Sequence, residues 1–338
     1  MQSLHDAVSS EAERTGFSGV VRVDRGDVTE FERAYGLAHR SCGTANTIDT
    51  RFATASATKG FTALAVMSLV KEGALALSTT ARSVLGADLP LIDDAVTVEQ
   101  LLAHRSGIGD YLDEDDEELD LDDYLLARPV HELVDTEDFL PLLEGHPSKF
   151  EPGTRFSYCN GGYVVLALIA ERVSATPYAD LVHTRVVGPA GMVDTAFSRS
   201  DELPPRTALG YLHTEGPRTN VFHLPVRGNG DGGIYTTAAD MVAFWAALYA
   251  GRIVSEQAVV SMLQPRSEVP QVTSRYGLGF WLADVGEDVR LDGGDTGVSF
   301  RSVTNPATRL TYTVIANTTE GAWPVARYLR VEYAAQTQ

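Results

Sequence analysis

The amino-acid sequence predicts an α+β fold, in which an antiparallel sheet flanked by the N- and C-terminal helices is interrupted by a mainly helical part. Strand-like segments occur only near the two ends of the 338-residue chain, at 17–23, 29–34, 277–283, 290–292, 299–303 and 309–316. Short polar turns join consecutive segments, and short connections favour antiparallel pairing. The N-terminal hairpin can bury its apolar face only by joining the later strands. These observations predict a discontinuous sheet part, 1–55 with 231–338, a helical part at 56–230, and a functional site at their junction.

The stretch 52–72 organises the helical part. Residues 61–70 are apolar on nearly every helical face, which is typical of a helix buried all round, and Gly73 stands where a helix-ending glycine is expected. Ser56 and Lys59 lie three residues apart just before this run. On a helix that spacing brings the two Cβ atoms to about 5–6 Å on one face. The sequence therefore predicts a hydroxyl beside an amine at the start of a core helix.

Other helices are predicted from apolar periodicity and from capping signals. They are 3–15, 124–145 with interruptions at its two prolines, 323–334, and two that begin at the capping-box pairs Thr97 with Gln100 and Thr237 with Asp240. A capping box satisfies free N–H groups of the first turn, so it marks where a helix begins.

Ser56 and Lys59 are interpreted as a catalytic pair. A serine hydroxyl is a weak nucleophile until a neighbouring base takes its proton. A lysine that enters an apolar region loses hydration, which lowers the pKa of its amine and suits it to be that base. The alternative is a helix-capping serine beside a lysine that extends to solvent. Only three of the 27 Lys and Arg residues are lysines, and a lysine kept at the mouth of a buried helix favours the titratable amine.

Two later segments offer groups that would complete such a site. Tyr158 could carry a proton, and the amide of Asn160 could hold a substrate carbonyl. In the segment 292–295, Gly293 and Gly294 would let a substrate approach the strand edge. A backbone N–H in that segment could complete an oxyanion hole.

In this order, the Ser-x-x-Lys helix, the Tyr-x-Asn loop and the glycine-rich strand resemble the serine β-lactamase and penicillin-binding-protein superfamily. The resemblance is closest to its class C-like branch, which includes esterases and D-aminopeptidases. It extends over about residues 17–318, and further matching segments are 101–107, 150–153, 232–235 and 276–279. The resemblance implies a β-lactamase/transpeptidase-like fold.

The resemblance also implies a role for each matching residue. Ser56 is implied to be the acylated nucleophile, with Lys59 and Tyr158 as the coupled base and proton shuttle. Asn160 is implied to contact a substrate amide and Lys59. The N–H groups of Ser56 and Asp295 are implied to form the oxyanion hole.

Asp292 departs from the family pattern, which has lysine or histidine at this strand position, often to recognise a substrate carboxylate. A lone aspartate there would repel a carboxylate at ~4 Å by up to about 4 kcal/mol at an effective dielectric near 20. The alternative is that Asp292 pairs with Arg290 or Arg301 and takes no part in recognition.

The function expected from these residues is that of a serine hydrolase acting through an acyl-enzyme. Its substrate is expected to be a neutral ester or an amine-bearing amide in preference to a β-lactam. Two alternatives stay open. One is a non-hydrolytic penicillin-binding-like sensor or binding protein, since fold does not establish function, and the other is a genuine β-lactamase or D-aminopeptidase. The expected partner is a small-molecule substrate, and the oligomeric state is left open.

Composition argues against several other classes of protein. A net charge of −19 opposes binding to nucleic acid and to anionic membranes, and no charge-free apolar run reaches about 18 residues. The two cysteines form no disulfide framework. The N-terminal residues lack the basic and apolar regions of a signal peptide, so a cytoplasmic location is expected. No cofactor and no metal site is expected.

Five other features have both a functional and a structural interpretation. The acidic run 113–123 suggests a cation site or a lid, but a solvated insertion is favoured. Residues 228–233 match Gly-x-Gly-x-x-Gly without the strand–helix–strand context of a nucleotide site, so a flexible loop is favoured. His131 lacks the second histidine of a zinc helix and is expected at the surface. His104 is favoured as a structural histidine at a helix end over a base, and Cys159 as a buried filler over a reactive thiol.

Overall fold

Strands from both ends of the chain form one antiparallel sheet in the computed structural model, which describes residues 4–115, 124–269 and 272–336. The strands are β1 (Gly19–Arg25), β2 (Val28–Tyr35), β3 (Leu37–His39), β4 (Thr44–Ala45), β5 (Phe52–Ala53), β6 (Tyr235–Thr236), β7 (Ser267–Val269), β8 (Ser274–Tyr276), β9 (Trp281–Ala283), β10 (Val289–Asp295), β11 (Val298–Asn305) and β12 (Leu310–Ala316). Within these ranges, eight strands make up the main sheet in the order β2-β1-β12-β11-β10-β9-β8-β7. In the β1–β12 pairing, Gly19 lies opposite Ala316. The N-terminal hairpin thus joins the later strands, and the predicted fold class is confirmed.

Helices lie on both faces of this sheet and in the insertion. They are α1 (Leu4–Thr15), α2 (Thr58–Lys71), α3 (Ala81–Leu85), α4 (Val98–Leu102), α5 (Leu140–Leu143), α6 (Asn160–Ser174), α7 (Tyr178–Val182), α8 (Gly188–Ala190), α9 (Ala238–Tyr249), α10 (Glu256–Met262) and α11 (Ala322–Gln336). Among the described residues, no helix combines the length and the apolar character needed to cross a lipid bilayer.

Side chains alternate along the strands and give the main sheet two apolar faces. On one face, Val21 and Val314 belong to a cluster with residues of α1 and α11. On the other face, Val20 and Ile315 belong to a larger cluster with residues of α2, α6 and α9. The sheet therefore separates the terminal helices from the helices that carry the inserted part.

Helix α2 lies in the larger of these two clusters. Each residue from 58 to 69 is buried, and Lys59 is only 1% exposed. Gly73 follows the end of the helix with a φ of +75°, a conformation that an L side chain rarely adopts. The prediction of a helix that is buried all round and ends at this glycine is confirmed.

The segment 124–145 differs from its expected helix. The chain there forms two 3₁₀ turns, Val130–Glu132 and Thr136–Phe139, and the single helical turn α5. Proline fixes φ and lacks an N–H, so Pro129 and Pro141 leave too little uninterrupted chain for a long helix. The prediction of a mainly helical segment was wrong here.

The expected strand at 277–283 is also shorter in the structure, because β9 begins only at Trp281. Gly279 has a φ of +87° and lies in the connection from β8 to β9. This glycine permits a reversal that an L residue would resist. The apolar pattern had merged the turn with the strand that follows it.

The two predicted capping boxes form to different extents. Thr97 and Gln100 exchange both bonds at the start of α4. Thr237 accepts a bond of 3.1 Å from the N–H of Asp240, but the Asp240 carboxylate accepts the hydroxyl of Thr195 instead of completing the box. A tertiary contact therefore took one of the two bonds that the local pattern predicted.

The proposed division of the chain has a structural counterpart in the small sheet β5–β6. This sheet pairs residues 52–53 with 235–236, close to the two ends of the inserted segment. Pairing here holds those ends side by side. We keep the division into 1–55 with 231–338, and 56–230, as a proposal.

Candidate active site

Ser56 lies in the tight turn Ala55–Ala57 that leads into α2. Ala55 has a φ of +46°, a left-handed conformation that costs about 1 kcal/mol or more in a residue other than glycine. The hydroxyl of Thr58 holds the turn through a bond of 2.7 Å to the Ala55 carbonyl. Ser56 is half-buried and lines a cleft, so the turn leaves this residue accessible from the cleft.

Strand β10 runs directly against this turn at Gly293. A Cβ built on Gly293 would lie 1.9 Å from the carbonyl oxygen of Thr54 and 2.9 Å from the nitrogen of Ala57. Only glycine permits that approach. Asp295 lines the same cleft as Ser56, and the oxyanion hole formed by their two N–H groups stays a proposal.

The amine of Lys59 makes hydrogen bonds to three other residues of this site. Its Nζ donates to the hydroxyl oxygen of Ser56 over 2.9 Å, to Oδ1 of Asn160 over 2.7 Å and to the carbonyl of Asp231 over 2.8 Å. Burial lowers the pKa of the Lys59 amine, and nearby carboxylates partly oppose that shift. Amide and carbonyl oxygens only accept, so a neutral amine would keep donating to both. Its lone pair would then be left for the Ser56 proton.

The carboxylates around Lys59 are themselves perturbed. Burial raises the pKa of Asp110 to about 6 and that of Asp295 to about 7, in each case with a further contribution from the Asp231 carboxylate. Burial also raises the pKa of Asp231, against the attraction of Lys59, and Tyr111 donates a short hydrogen bond to it. Such a cluster of shifted groups is typical of a functional site.

Tyr158 lies beside both Lys59 and Ser56. The Nζ of Lys59 is 4.9 Å from the centroid of its ring, and Tyr158 lines the same cleft as Ser56. Burial raises the pKa of the Tyr158 phenol well above its usual range. A phenol that keeps its proton next to these two groups can pass a proton on.

Asn160 is held at its backbone and at its amide. Its N–H donates to the Asp110 carboxylate over 2.5 Å, and its Nδ2 donates to the carbonyl of Leu112 and to Oε1 of Glu114, each over 3.0 Å. These acceptors orient Oδ1 toward Lys59. The implied contact with Lys59 therefore exists, whereas a substrate carbonyl could use Nδ2 only by displacing one of its acceptors.

Asp292 is paired with two arginines. Arg301 donates from Nε and Nη2 over 2.6 and 2.8 Å, and Arg290 donates from Nε over 2.8 Å. Burial would raise the pKa of Asp292, but Arg301 and Arg290 together hold it below its usual value. The lone carboxylate on which the predicted repulsion depends is absent. The structure instead has the arginine pairing that was the alternative expectation, and it involves both Arg290 and Arg301.

Two cavities meet at Ser56. The outer cleft, of about 600 Å³, is lined by Gly294 and by the indoles of Trp281 and Trp323. The inner pocket, of about 80 Å³, contains no Lys or Arg side chain among the described residues of its lining. The carboxylates that line the inner pocket are those of Glu114, Asp231 and Asp295. The described lining of the inner pocket thus has carboxylates and no Lys or Arg, whereas that of the outer cleft combines four aromatic side chains with charged groups of both signs.

The remaining candidate residues lie outside this chemistry. Cys159 is buried, and its Sγ accepts the N–H of Gly162 over 3.3 Å at the start of α6. Burial raises the pKa of its thiol well above the usual range. His131 is exposed on a short turn, and no group of His, Cys, Asp and Glu in the described ranges could hold a metal ion.

The first part of the acidic run, 113–115, belongs to the described residues. Asp113 and Asp115 each pair with Lys149, over 2.8 and 2.9 Å, and Glu114 contacts Asn160. The rest of the run, 116–123, lies outside the described residues. At its beginning, the run packs against the site through lysine and asparagine contacts.

Sequence reasoning missed Asp110, Tyr111 and Asp231. The signal that could have found Asp231 is its place within the glycine-rich match at 228–233. That match was interpreted as a flexible loop, and its carboxylate was not considered. In the structure this loop contacts α2, since the Gly230 carbonyl accepts the hydroxyl of Thr62. No local pattern pointed to Asp110, which acts through the N–H groups that begin α6.

Comparison with known proteins shows a family match over nearly the whole chain. The Beta-lactamase family model matches residues 4–335. Esterase EstB of Burkholderia gladioli is 34% identical over 61% of this chain and 53% of its own length. D-aminopeptidase of Brucella anthropi is 28% identical over 80% of this chain and 50% of its own length. The chain thus spans about half the length of both relatives.

A solved structure agrees with the same assignment. The crystal structure of the penicillin binding protein from Bacillus halodurans is 34% identical, with a TM-score of 0.89, and the match covers 96% of this chain and 99% of that chain. The family match includes α2, the start of α6 and β10, which meet at Ser56. The resemblance predicted from those three segments is confirmed. The chain therefore belongs to the Beta-lactamase family.

Proposed function

We propose that the protein is a serine hydrolase that acts on an ester or amide through an acyl-enzyme on Ser56. The observation that carries this proposal is the 2.9 Å contact between Nζ of Lys59 and the hydroxyl oxygen of Ser56. Because the other two bonds of Nζ go to acceptor-only oxygens and burial lowers the pKa of the amine, a neutral Lys59 is oriented to take the serine proton.

In the first half-reaction, Lys59 takes the hydroxyl proton while Oγ of Ser56 bonds to the substrate carbonyl carbon. The N–H groups of Ser56 and Asp295 stabilise the oxyanion that forms. The proton passes through the hydroxyl of Tyr158 to the leaving alcohol or amine as its bond to the carbonyl carbon breaks. Water then attacks the acyl-enzyme, the acid is released, and the proton returns to Oγ of Ser56.

The charge of the inner pocket supports an amine-bearing amide or a neutral ester over a β-lactam. Glu114, Asp231 and Asp295 line this pocket without a Lys or Arg among its described residues. Such a pocket attracts an ammonium group and repels a carboxylate, and penicillins carry a carboxylate. The substrate preference is thus attributed to these three groups and not to Asp292.

A fluorophosphonate probe tests the reaction class. We expect mass spectrometry to find the label on Ser56 in the wild type and no label in Ser56→Ala, because only an activated serine reacts. Sustained release of p-nitrophenol from short-chain esters would then show that the acyl-enzyme is hydrolysed. An unlabelled Ser56 in folded protein refutes the proposal. A label without turnover assigns the protein to the non-hydrolytic binders.

Asp295 should make substrate binding depend on pH near 7. Burial and the neighbouring carboxylates raise its pKa to about 7, so the side chain gains its charge as the pH rises through that value. We expect the KM of a trimethylammonium-bearing amide to fall about fivefold between about pH 6 and pH 8, or roughly 1 kcal/mol. The uncharged tert-butyl isostere should show no such change.

Two variants complete this experiment. In Asp295→Asn the KM of the charged amide should stay constant over the same range, with kcat retained because the backbone N–H is unchanged. Asp27→Asn, at a fully exposed carboxylate, should keep the full pH dependence. The assignment is wrong if the charged and uncharged amides respond to pH alike in the wild type.

A further inference from the structure

We propose that His104 is the positioning residue for Tyr158, because it binds the chain on both sides of that tyrosine and packs against its ring. The inference rests on the proposed function, since the placement of Tyr158 matters only if protons move to and from Ser56. His104 lines neither of the cavities at Ser56, so it acts through Tyr158 and not on the substrate.

The backbone around Tyr158 is anchored twice by His104. The carbonyl of His104 accepts a bond of 3.0 Å from the N–H of Ser157. Its Nδ1 accepts a second bond of 3.0 Å from the N–H of Cys159. Tyr158 is the residue between these two anchors, so one side chain and one carbonyl fix the backbone from which the phenol extends.

The two anchors depend on an uncommon backbone conformation. His104 is 1% exposed and has a φ of +54°, a left-handed conformation that histidine and asparagine adopt more readily than most L residues. Residues held in this region against their preference are frequent at functional sites. The conformation lies directly after α4, where the chain turns from helix into the loop that reaches the cleft.

The imidazole also restricts the ring of Tyr158. The centroids of the two rings are 4.3 Å apart with 31° between their planes. Trp281 stacks on the same tyrosine at 6.0 Å and 14°. Two flat partners limit rotation of the phenol about its χ angles, and this keeps the hydroxyl beside Ser56.

Only a neutral imidazole can make these contacts. Because Nδ1 accepts the Cys159 N–H, the ring proton lies on Nε2. Nε2 is buried with no hydrogen-bond acceptor in the described part of the chain. The imidazole centroid lies 4.9 Å from that of the Tyr163 ring and 4.8 Å from that of the Tyr276 ring. Burial holds the pKa of His104 well below its usual range, and Lys59 lowers it further whenever its amine is protonated.

Two substitutions of His104 separate the effect of its Nδ1 hydrogen bond to Cys159 from the effect of its ring contact with Tyr158. Asparagine places its Oδ1 near the position of Nδ1 and tolerates the left-handed backbone, so His104→Asn keeps the acceptor and removes the ring. Phenylalanine keeps the ring and removes the acceptor, which leaves the buried N–H of Cys159 without a partner. A positioning role predicts a fall in kcat of about fivefold for His104→Asn and of about 30-fold for His104→Phe, with KM within about twofold in both.

A double-mutant cycle with Tyr158→Phe distinguishes positioning from a general structural role. Once the phenol hydroxyl is absent, its placement no longer matters, so His104→Asn and His104→Phe should lower kcat by less than about twofold in that background. His39→Asn is the matched control, since the His39 imidazole also hydrogen-bonds the backbone, in its case at the Thr207 carbonyl over 3.0 Å. We expect it to leave kcat unchanged in both backgrounds.

The results that overturn the inference are specific. Losses in kcat that are equally large with and without the Tyr158 hydroxyl mean that His104 acts on the fold. If folded His104→Phe has a kcat within about twofold of wild type, the hydrogen bond from Cys159 to Nδ1 of His104 does not position Tyr158 for catalysis. If His104→Phe does not fold, His104→Asn decides by the same comparison. Absence of Ser56 labelling in the wild type refutes the proposed function. If the wild type is active but the losses in kcat from the His104 variants and from Tyr158→Phe are additive, only the role of His104 is refuted.

Discussion

Replacing Lys59 by arginine should lower kcat/KM by about 10²-fold or more and leave the protein folded. Arginine can donate to the same acceptor oxygens of Asn160 and Asp231, but its guanidinium stays protonated at every pH at which the protein works. It therefore cannot take the proton of Ser56. Initial rates with a p-nitrophenyl ester, together with thermal melting of each variant, separate a loss of chemistry from a loss of fold.

The matched control is Lys71→Arg, the same substitution at the exposed end of α2. It should leave kcat/KM within about twofold of wild type. Because burial lowers the pKa of Lys59, activity of the wild type should rise as the pH increases through that pKa and the amine loses its proton. Retention of at least about half of the activity in folded Lys59→Arg would exclude Lys59 as the base.

Replacing Asp292 by asparagine should destabilise the protein by about 3 kcal/mol. The side chains of Asp292, Arg290 and Arg301 are only 18%, 20% and 18% exposed. Asparagine has nearly the same shape, but it leaves two largely buried guanidiniums without their counter-charge. Urea unfolding at neutral pH measures the change in the free energy of unfolding. The comparison is Asp94→Asn, because Asp94 is 85% exposed where it pairs with Arg82, and such surface pairs contribute little.

The interaction of Asp292 with the two arginines also predicts how the stability of the protein depends on pH. The folded pKa of Asp292 is lowered by Arg301 and Arg290, so its contribution to stability is complete above the unfolded value of about 3.9. That contribution is lost as the pH falls through the folded pKa. The gap in unfolding free energy between wild type and Asp292→Asn should therefore shrink below about pH 4. A gap of less than about 0.5 kcal/mol at neutral pH would show that the arginines do not depend on Asp292.

Most of the fold was predictable because it depends on local patterns. The buried helix α2, its terminal Gly73 and the capping box of α4 follow from residues only a few positions apart. The antiparallel sheet followed from short turns and from the need of the N-terminal hairpin for a partner. The segment 124–145 was predicted to be helical with interruptions at Pro129 and Pro141, but the structure has only short 3₁₀ and helical turns there, because short stretches beside prolines form few helical hydrogen bonds.

The sequence by itself determined the proposed nucleophile, its proposed base and the order of the three segments that form the candidate site. Ser56 and Lys59 are three positions apart, so a single helix turn brings them together. The tertiary structure alone decided the charge around them. The Asp231 carbonyl reaches Lys59 across 172 positions of sequence, and Asp292 meets Arg301 across neighbouring strands. Electrostatic interactions depend on distance and burial in space, and neither quantity can be deduced from local spacing.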